Sequence, residues 1–285
     1  MLKILITGAS GFVGNYLVKK LTDLGYEVVA LSGKDGHIAA ESTWSGLPST
    51  DVVIHLAAKA FVPDSWSFPD VFLETNTIGT LRALEYCRKY KAKMIFISSY
   101  LYGNPKSLPI FETDPVYTPN PYALSKKTSE DYCRFYTEAY NVPTLILRPF
   151  NIYGYGQSTS FLIPLLIEQV LKQKEIHVKD LEPKRDYLHI SDFIDAIVKS
   201  ISFSGHDTIN IGFGESYSVK EIIDKIQSIC RTNYPVKADA IARQAEIMNT
   251  VAGISKAKRL LNWQPRLTLA EGLTQMIEQH KLAND

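Results

Sequence analysis

The chain has 285 residues, 45% hydrophobic and 21% charged, the balance of a water-soluble globular protein with room for one large or two small domains. Lys plus Arg at 31 against Asp plus Glu at 30 leaves no basic excess for nucleic acid or a membrane surface, and no apolar run reaches the length of a membrane span, so small-molecule chemistry is favoured. Cys87, Cys133 and Cys230 form no C-x-x-C pair, which argues against a disulfide framework or a structural zinc, and with the first strand starting at residue 2 no signal peptide is expected; a reducing, cytoplasmic setting is expected.

In chain order, the apolar run at residues 2–6 reads as a strand, followed directly by Thr7-Gly8-Ala9-Ser10-Gly11-Phe12-Val13-Gly14. Gly8 suits a tight turn, Gly11 lets backbone approach a ligand, and Gly14 lets the next helix lie close to the strand. That helix carries Phe12, Val13, Tyr16, Leu17, Leu21 and Leu24 on one stripe and stops at Gly25. Its N-terminus offers free N–H groups and a positive dipole end to a pyrophosphate, so residues 8 to 14, Ser10 included, read as a dinucleotide site.

A second strand is expected at Glu27–Leu31, ending in Ser32-Gly33-Lys34. No Asp or Glu stands where an NAD-type site grips the ribose 2′-hydroxyl; Ser32 and Lys34 suit a 2′-phosphate, which favours NADP over NAD, although Lys34 is also an ordinary surface residue. Residues 33–50 are too short for a full helix and strand and read as a loop with at most one helical turn. Residues 51–58 form a buried parallel strand ending in Leu56-Ala57-Ala58, small enough for a cofactor to pass; His55 reads as a satisfied core histidine before an acid or base. Residues 59–69, with Val62, Pro63, Asp64, Ser65 and Trp66, read as an active-site loop at the carboxyl end of that strand.

A helix is expected over 71–90, with Asn76 polar inside its apolar pattern: either solvent-facing or a buried bridge to a catalytic network. The strand at 94–99 delivers Ser98 and Ser99 to its carboxyl end, and Asn120-Pro-Tyr122-Ala-Leu-Ser-Lys126 opens a helix reaching about 140. Tyr122 and Lys126, four apart, share a helix face. An ammonium near a phenol favours the phenolate, and Ser98 is placed to hold a substrate oxygen against Tyr122, so the trio could move a proton while a nicotinamide moves a hydride. Further amphipathic helices are expected over 161–172, 190–203, 219–231, 254–261 and 269–282.

With these motifs in one order, the chain resembles the extended short-chain dehydrogenase/reductase superfamily, in its branch of nucleotide-sugar epimerases, dehydratases and 4-keto reductases. The resemblance spans nearly the whole chain and also rests on Asn76-Thr-Ile-Gly79-Thr, Tyr102-Gly103, Leu147-Arg-Pro-Phe-Asn151-Ile-Tyr-Gly154, Arg185-Asp-Tyr-Leu-His-Ile-Ser-Asp192, Asn210-Ile-Gly212 and Asn262-Trp263-Gln-Pro265. It implies an α/β fold: a doubly wound parallel sheet (Rossmann) over 1–150, to which later segments can return, and a smaller mixed α/β nucleotide-sugar domain over most of 151–285.

The resemblance makes Ser98 and Tyr122 the catalytic hydroxyls and gives Lys126 the nicotinamide ribose. It makes Asn76 a brace, and places Asn151, Arg185 and Arg243 on the nucleotide-sugar diphosphate; Arg185 paired with Asp186 on the surface is the plainer alternative. Val62, Asp64, Ser65, Ser99 and Tyr100 join them as substrate contacts, and no metal is implied. Ser99 and Tyr100 stand where dehydratases of the branch carry Asp and Glu, which disfavours a dehydratase. The missing acidic anchor and short 33–50 segment fit an exchangeable cofactor, hence an NADPH-dependent 4-keto-6-deoxyhexose reductase; an NAD-dependent 4-epimerase is the alternative, and a non-catalytic dinucleotide sensor a third. The resemblance also implies a homodimer through the helices over 71–90 and 122–140. Gly253 stands where relatives often have Asp.

Overall fold

Apolar strands covered on both faces set the architecture. A computed structural model describes residues 1–239 and 247–283. Its first half runs β1 (Lys3–Thr7), α1 (Phe12–Asp23), β2 (Glu27–Leu31), the single turn α2 (Glu41–Trp44), β3 (Val52–His55), α3 (Val62–Ser67), α4 (Pro69–Phe72), a π-helical turn (Leu73–Ile78), α5 (Gly79–Tyr90), β4 (Lys93–Ile97), α6 (Pro121–Tyr140) and β5 (Thr144–Pro149). The second half runs β6 (Asn151–Tyr153), α7 (Leu162–Glu168) with a π-helical extension (Gln169–Gln173), β7 (Ile176–Val178), β8 (Lys184–His189), α8 (Ile190–Ser200), β9 (Asp207–Ile211), β10 (Ser216–Ser218), α9 (Val219–Cys230), β11 (Val236–Ala238), α10 (Ser255–Leu261) and α11 (Leu269–Leu282).

Six parallel strands form one sheet in the order β2-β1-β3-β4-β5-β9. All of β3 and β5 is buried, the pattern of a parallel sheet with helices on both faces. One face packs against α1 and α8 around Leu17, Leu21, Phe193 and Ile197; the other packs against α5 and α6 around Leu84, Cys87, Cys133 and Tyr136. The chain leaves β1 toward β2 on one side and β3 on the other, so the crevice at the carboxyl ends of β1 and β3 is the switch point where doubly wound sheets bind ligands. Residues 151–283 add the three-stranded sheet β10-β8-β6, the pair β11-β7 and their own apolar cluster around Leu166, Ile222 and Leu273, while β9 returns to the large sheet.

Several sequence expectations meet a different backbone. Residues 59–69 are not a plain loop: Pro63 in the first turn lets α3 form, and a second proline, Pro69, starts α4. The helix expected over 71–90 is broken by the π-helical turn at Leu73–Ile78, whose extra residue shifts the inward-facing register so that Thr75, Asn76 and Thr77 are all buried. Residues 33–50 hold the one helical turn expected of them. The three-residue strands β6, β7, β10 and β11 were too short to show a period in the sequence.

Glycine is sterically required at positions 8 and 253, among others. Gly8 has φ +70°, and a Cβ there would lie 2.8 Å from the Ala57 backbone nitrogen, so glycine turn and β3 exit touch backbone to backbone. Gly253, unexplained by sequence, sits where a Cβ would meet the Phe111 ring at 2.5 Å and the Ile110 carbonyl oxygen at 2.8 Å, with its own N–H donating to that carbonyl at 2.7 Å. An Asp does not fit there.

At Gly14 a Cβ would fall 2.2 Å from the Gly8 carbonyl oxygen and 2.6 Å from that of Ala9. Both are backbone atoms, so Gly14→Ala must push α1 off the strand, and we expect it to lower the unfolding free energy by about 1–3 kcal/mol. Urea denaturation with an unchanged midpoint would refute this.

Candidate active site

The glycine turn opens α1 without obstruction. Gly11 is the N-cap with no side chain to occupy the first N–H groups, and the first turn carries no acidic residue. The turn is held by Gly11 N–H on the Gly8 carbonyl at 3.0 Å and by Ala9 N–H on the Leu31 carbonyl at 3.1 Å, leaving Ser10 and Gly11 exposed and Phe12 and Val13 partly so. Cβ-free backbone here, together with open N–H groups, fits a pyrophosphate. Across the crevice Leu56, Ala57 and Ala58 are half-buried, and the Thr7 hydroxyl accepts the Ala57 N–H at 3.2 Å.

At the end of β2, where the strand itself carries no carboxylate, Asp35 sits in a turn closed by its own N–H on the Ser32 carbonyl at 3.0 Å. Its carboxylate accepts the Ser32 N–H at 2.7 Å and the Ser32 hydroxyl at 2.8 Å, and these bonds, with the nearby Lys34 charge, hold its pKa below the usual carboxylate value. Ser32 therefore already donates to a carboxylate, and Lys34 is exposed beside it. The turn folds Asp35 back from beyond the strand end.

His55 is buried in the sheet, its Nδ1 2.8 Å from the Thr7 hydroxyl and its ring stacked on Phe96 at 6.1 Å. Burial first and the Lys126 charge second push its pKa down to about 3, so it is neutral and unsuited to acid–base work near neutrality. It is only half satisfied: Nε2 has no hydrogen-bond partner.

Asn76 is the buried bridge, not the solvent-facing residue. From the π-helical turn its Oδ1 accepts the Lys59 N–H at 2.8 Å, while Nδ2 donates to the Lys59 carbonyl at 3.1 Å and to Ser125 Oγ at 2.9 Å. Its own carbonyl accepts the hydroxyls of Thr80 at 2.6 Å and Ser129 at 3.0 Å. One amide thus locks the β3 exit to α6 between Tyr122 and Lys126.

Asn120 caps α6 by accepting the Ala123 N–H at 2.8 Å, and Pro121 opens the helix. Tyr122 packs edge-on against Phe72 and shares a hydrogen bond with the Ser99 side chain. The expected lowering of its pKa by Lys126 is not found: desolvation raises it to about 12, the Ser99 bond opposes this only in part, and Tyr100 adds to it. Lys126 is buried, donates to the Ile97 carbonyl at 2.7 Å and lies 4.8 Å over the Phe96 ring; burial brings its pKa down to about 8 against an upward pull from Glu130. Ser98 Oγ, also buried, has no partner, a hydroxyl held ready at the strand end.

Tyr100 stacks on Phe150 at 5.0 Å and donates to Asn151 Oδ1 at 3.2 Å, and Asn151 Nδ2 donates to the Asp186 carbonyl at 3.0 Å. So Ser99, Tyr100, Tyr122 and Asn151 form one connected wall. Arg185 does not take the Asp186 carboxylate as expected of a surface pair: that carboxylate is fully buried on the N–H groups of Phe213, Gly214 and Ala252 at 2.7, 2.8 and 2.9 Å. Arg185 Nη1 instead donates to the carbonyls of Lys184 and Ile247. In α3, Ser65 is buried with its hydroxyl on the Val62 carbonyl at 2.7 Å, and Asp64 is exposed. Arg243 lies outside the described residues.

The sequence profile of the NAD dependent epimerase/dehydratase family matches residues 4–212. The chain belongs to that family. It is 31% identical to a putative UDP-glucose 4-epimerase of Methanocaldococcus jannaschii, covering 99% of both chains, and 29% identical to the GDP-6-deoxy-D-mannose reductase of Pseudomonas aeruginosa, covering 95% of this chain and 94% of that one. Its fold matches the Pseudomonas aeruginosa RMD structure complexed with NADPH, with a TM-score of 0.92 at 26% identity over 99% of this chain and 100% of that one. The protein is thus an NAD(P)-dependent nucleotide-sugar enzyme of the extended short-chain dehydrogenase/reductase type.

Only a protonated Lys126 can give a charge-assisted hydrogen bond to a ribose hydroxyl. If Lys126 holds the ribose of a bound dinucleotide, affinity should be full below its pKa of about 8 and fall above it as the ammonium loses its proton. Calorimetric titration between about pH 6 and 10 checks this, with a flat profile against it.

Proposed function

We propose that the protein is an NADPH-dependent reductase of a nucleotide-linked 4-keto-6-deoxyhexose, acting in nucleotide-sugar biosynthesis. The observation that carries this reading is the brevity of residues 33–50, a single helical turn that leaves little to wrap a permanently held dinucleotide; the desolvated Tyr122 phenol rests protonated, as a proton donor must. A reductase begins by giving a proton to the C4 oxygen, whereas a 4-epimerase begins by removing one. When bound, NADPH supplies the hydride that reduces the C4 carbonyl. Tyr122 protonates the same oxygen, the unpartnered Ser98 hydroxyl hydrogen-bonds it, and Lys126 holds the nicotinamide ribose.

Residues 8, 10–14 and 56–58 hold the dinucleotide, with Asn76 bracing the site. Asn151, Arg185 and Arg243 take the diphosphate, and Val62, Asp64, Ser65, Ser99 and Tyr100 border the sugar. The brevity of 33–50, with one helical turn and no strand beyond β2, supports an exchangeable cofactor. Likeness to the Pseudomonas aeruginosa reductase and to a structure with NADPH supports it too. Asp35, a carboxylate at the end of β2, favours a second reading, an NAD-dependent 4-epimerase, because it suits a ribose hydroxyl better than a 2′-phosphate.

Incubating the protein with NADPH and a nucleotide-linked 4-keto-6-deoxyhexose should consume the cofactor at 340 nm, and Tyr122→Phe should cut turnover by about a hundredfold or more while leaving NADPH binding intact. Interconversion of two sugar nucleotides without added cofactor would establish the epimerase instead.

The working unit is a homodimer, supported by the apolar side chains that the surface around α5 and α6 leaves exposed: Leu73 at 52%, Leu124 at 56% and Phe135 at 51%. Sedimentation should give twice the 32.0 kDa chain mass, and Leu124→Glu should shift it toward the single chain; a monomer at all concentrations would exclude the dimer.

A further inference from the structure

One helical turn beyond Lys126 on the same face of α6 stands Glu130, and both side chains are buried, at 4% and 5% exposure. Residues four apart on a helix are placed to form an ion pair. A buried ammonium whose protein partners are one carbonyl and a ring face would gain from such a carboxylate, and Glu130 already pulls on it electrostatically. Yet Lys126 Nζ lies on the Ile97 carbonyl.

Glu130 is committed elsewhere. Arg148, on β5, grips it with both arms of its guanidinium: Nε on Oε1 at 2.9 Å and Nη2 on Oε2 at 2.6 Å. Arg148 is held from behind as well. Its Nη1 donates to the Tyr102 hydroxyl at 2.8 Å, its guanidinium lies 5.1 Å from the Tyr102 ring centre, and the Tyr102 hydroxyl donates to Asn210 Oδ1 at 2.6 Å. Asn210 on β9 is anchored in turn by its N–H on Glu112 and its amide on the Ile110 carbonyl. A planar fork matching a carboxylate in two parallel bonds outcompetes a single ammonium for the same oxygens.

We propose that Arg148 is a positioning residue for the reaction: by sequestering Glu130 it prevents an internal Lys126–Glu130 ion pair and leaves the Lys126 ammonium in the cofactor crevice. The role assigned to Lys126 rests on the oxidoreductase reading above, whereas the position of its side chain does not. The chain Glu130, Arg148, Tyr102, Asn210 joins α6 to β5 and β9, so the sequestering arm is braced by the sheet itself.

The test compares Arg148→Met, Glu130→Gln and the double variant. A crystal structure of Arg148→Met should find Lys126 Nζ within about 3 Å of the Glu130 carboxylate; Nζ still on the Ile97 carbonyl would overturn the proposal whatever the enzyme does. NADPH or NAD affinity, read by fluorescence, should weaken about tenfold in Arg148→Met and return to near the wild-type value in the double variant, where the competing carboxylate is gone. A strut that only supports the fold predicts the opposite order, with the double variant no better than the single one, and that result would refute sequestration. Should Arg148→Met not fold, Arg148→Gln takes its place, alone and combined with Glu130→Gln, and the same structural and affinity outcomes decide. Failure of the wild-type protein to bind either dinucleotide would instead remove the oxidoreductase reading, leaving the crystallographic outcome to judge the proposal.

Discussion

The contact between the glycine turn and the exit of β3 is the constraint from which the site follows. Backbone meets backbone there because Gly8 has no Cβ, and the Thr7 hydroxyl fastens the approach by holding the Ala57 N–H and touching His55 Nδ1. Any side chain at position 8 would separate β1 from the segment carrying Leu56, Ala57 and Ala58, and the crevice at the switch point would lose its floor. From that floor the chain reaches Lys59, whose backbone N–H and carbonyl are both taken by Asn76. Asn76 also donates to Ser125, so the turn of α6 bearing Tyr122 and Lys126 is registered against the glycine turn through three backbone segments.

A π-helical turn in the middle of that linkage is a local cost that makes sense only in this role. A regular helix over 71–90 would keep Asn76 on an amphipathic register; the extra residue turns Thr75, Asn76 and Thr77 together into the interior, where all three find side-chain or backbone partners. Arg148 secures α6 at a second point, Glu130, near the middle of that helix. Clamped at Ser125 and at Glu130, α6 has little freedom to rotate, and the positions of Tyr122 and Lys126 are set by buried polar contacts more than by apolar packing.

The glycine turn, the hydroxyls at 98 and 99 and the Tyr122–Lys126 spacing were legible in the sequence because each is a local pattern: its meaning is set by residues within one strand or one helical turn. What stayed hidden depends on partners far along the chain. Arg148 and Glu130 are 18 residues apart and belong to different elements, so neither pattern hints at the other. Asp186 looked like a surface partner for Arg185, yet its carboxylate is buried on backbone N–H groups from residues 213, 214 and 252. Gly253 became intelligible only once Phe111 and Ile110 were seen against it.

The electrostatics of the site are decided by desolvation. The Lys126 ammonium, 4% exposed, has its pKa brought from 10.5 to about 8, a burden of about 3 kcal/mol on the charged form. The same apolar setting keeps Tyr122 protonated, so the lysine does not turn the tyrosine into a base in this state. Both groups are under-satisfied in complementary ways: one is a cation with a single carbonyl and a ring face, the other a phenol bonded to a serine. The buried Ser98 hydroxyl, between Ile97 and Ser99 in the chain, has no partner at all. A ligand that brings acceptor oxygens to Lys126, Tyr122 and Ser98 relieves all three at once. The specificity of the site therefore lies in donors that the fold leaves waiting, since a buried donor without an acceptor selects strongly for the ligand that provides one.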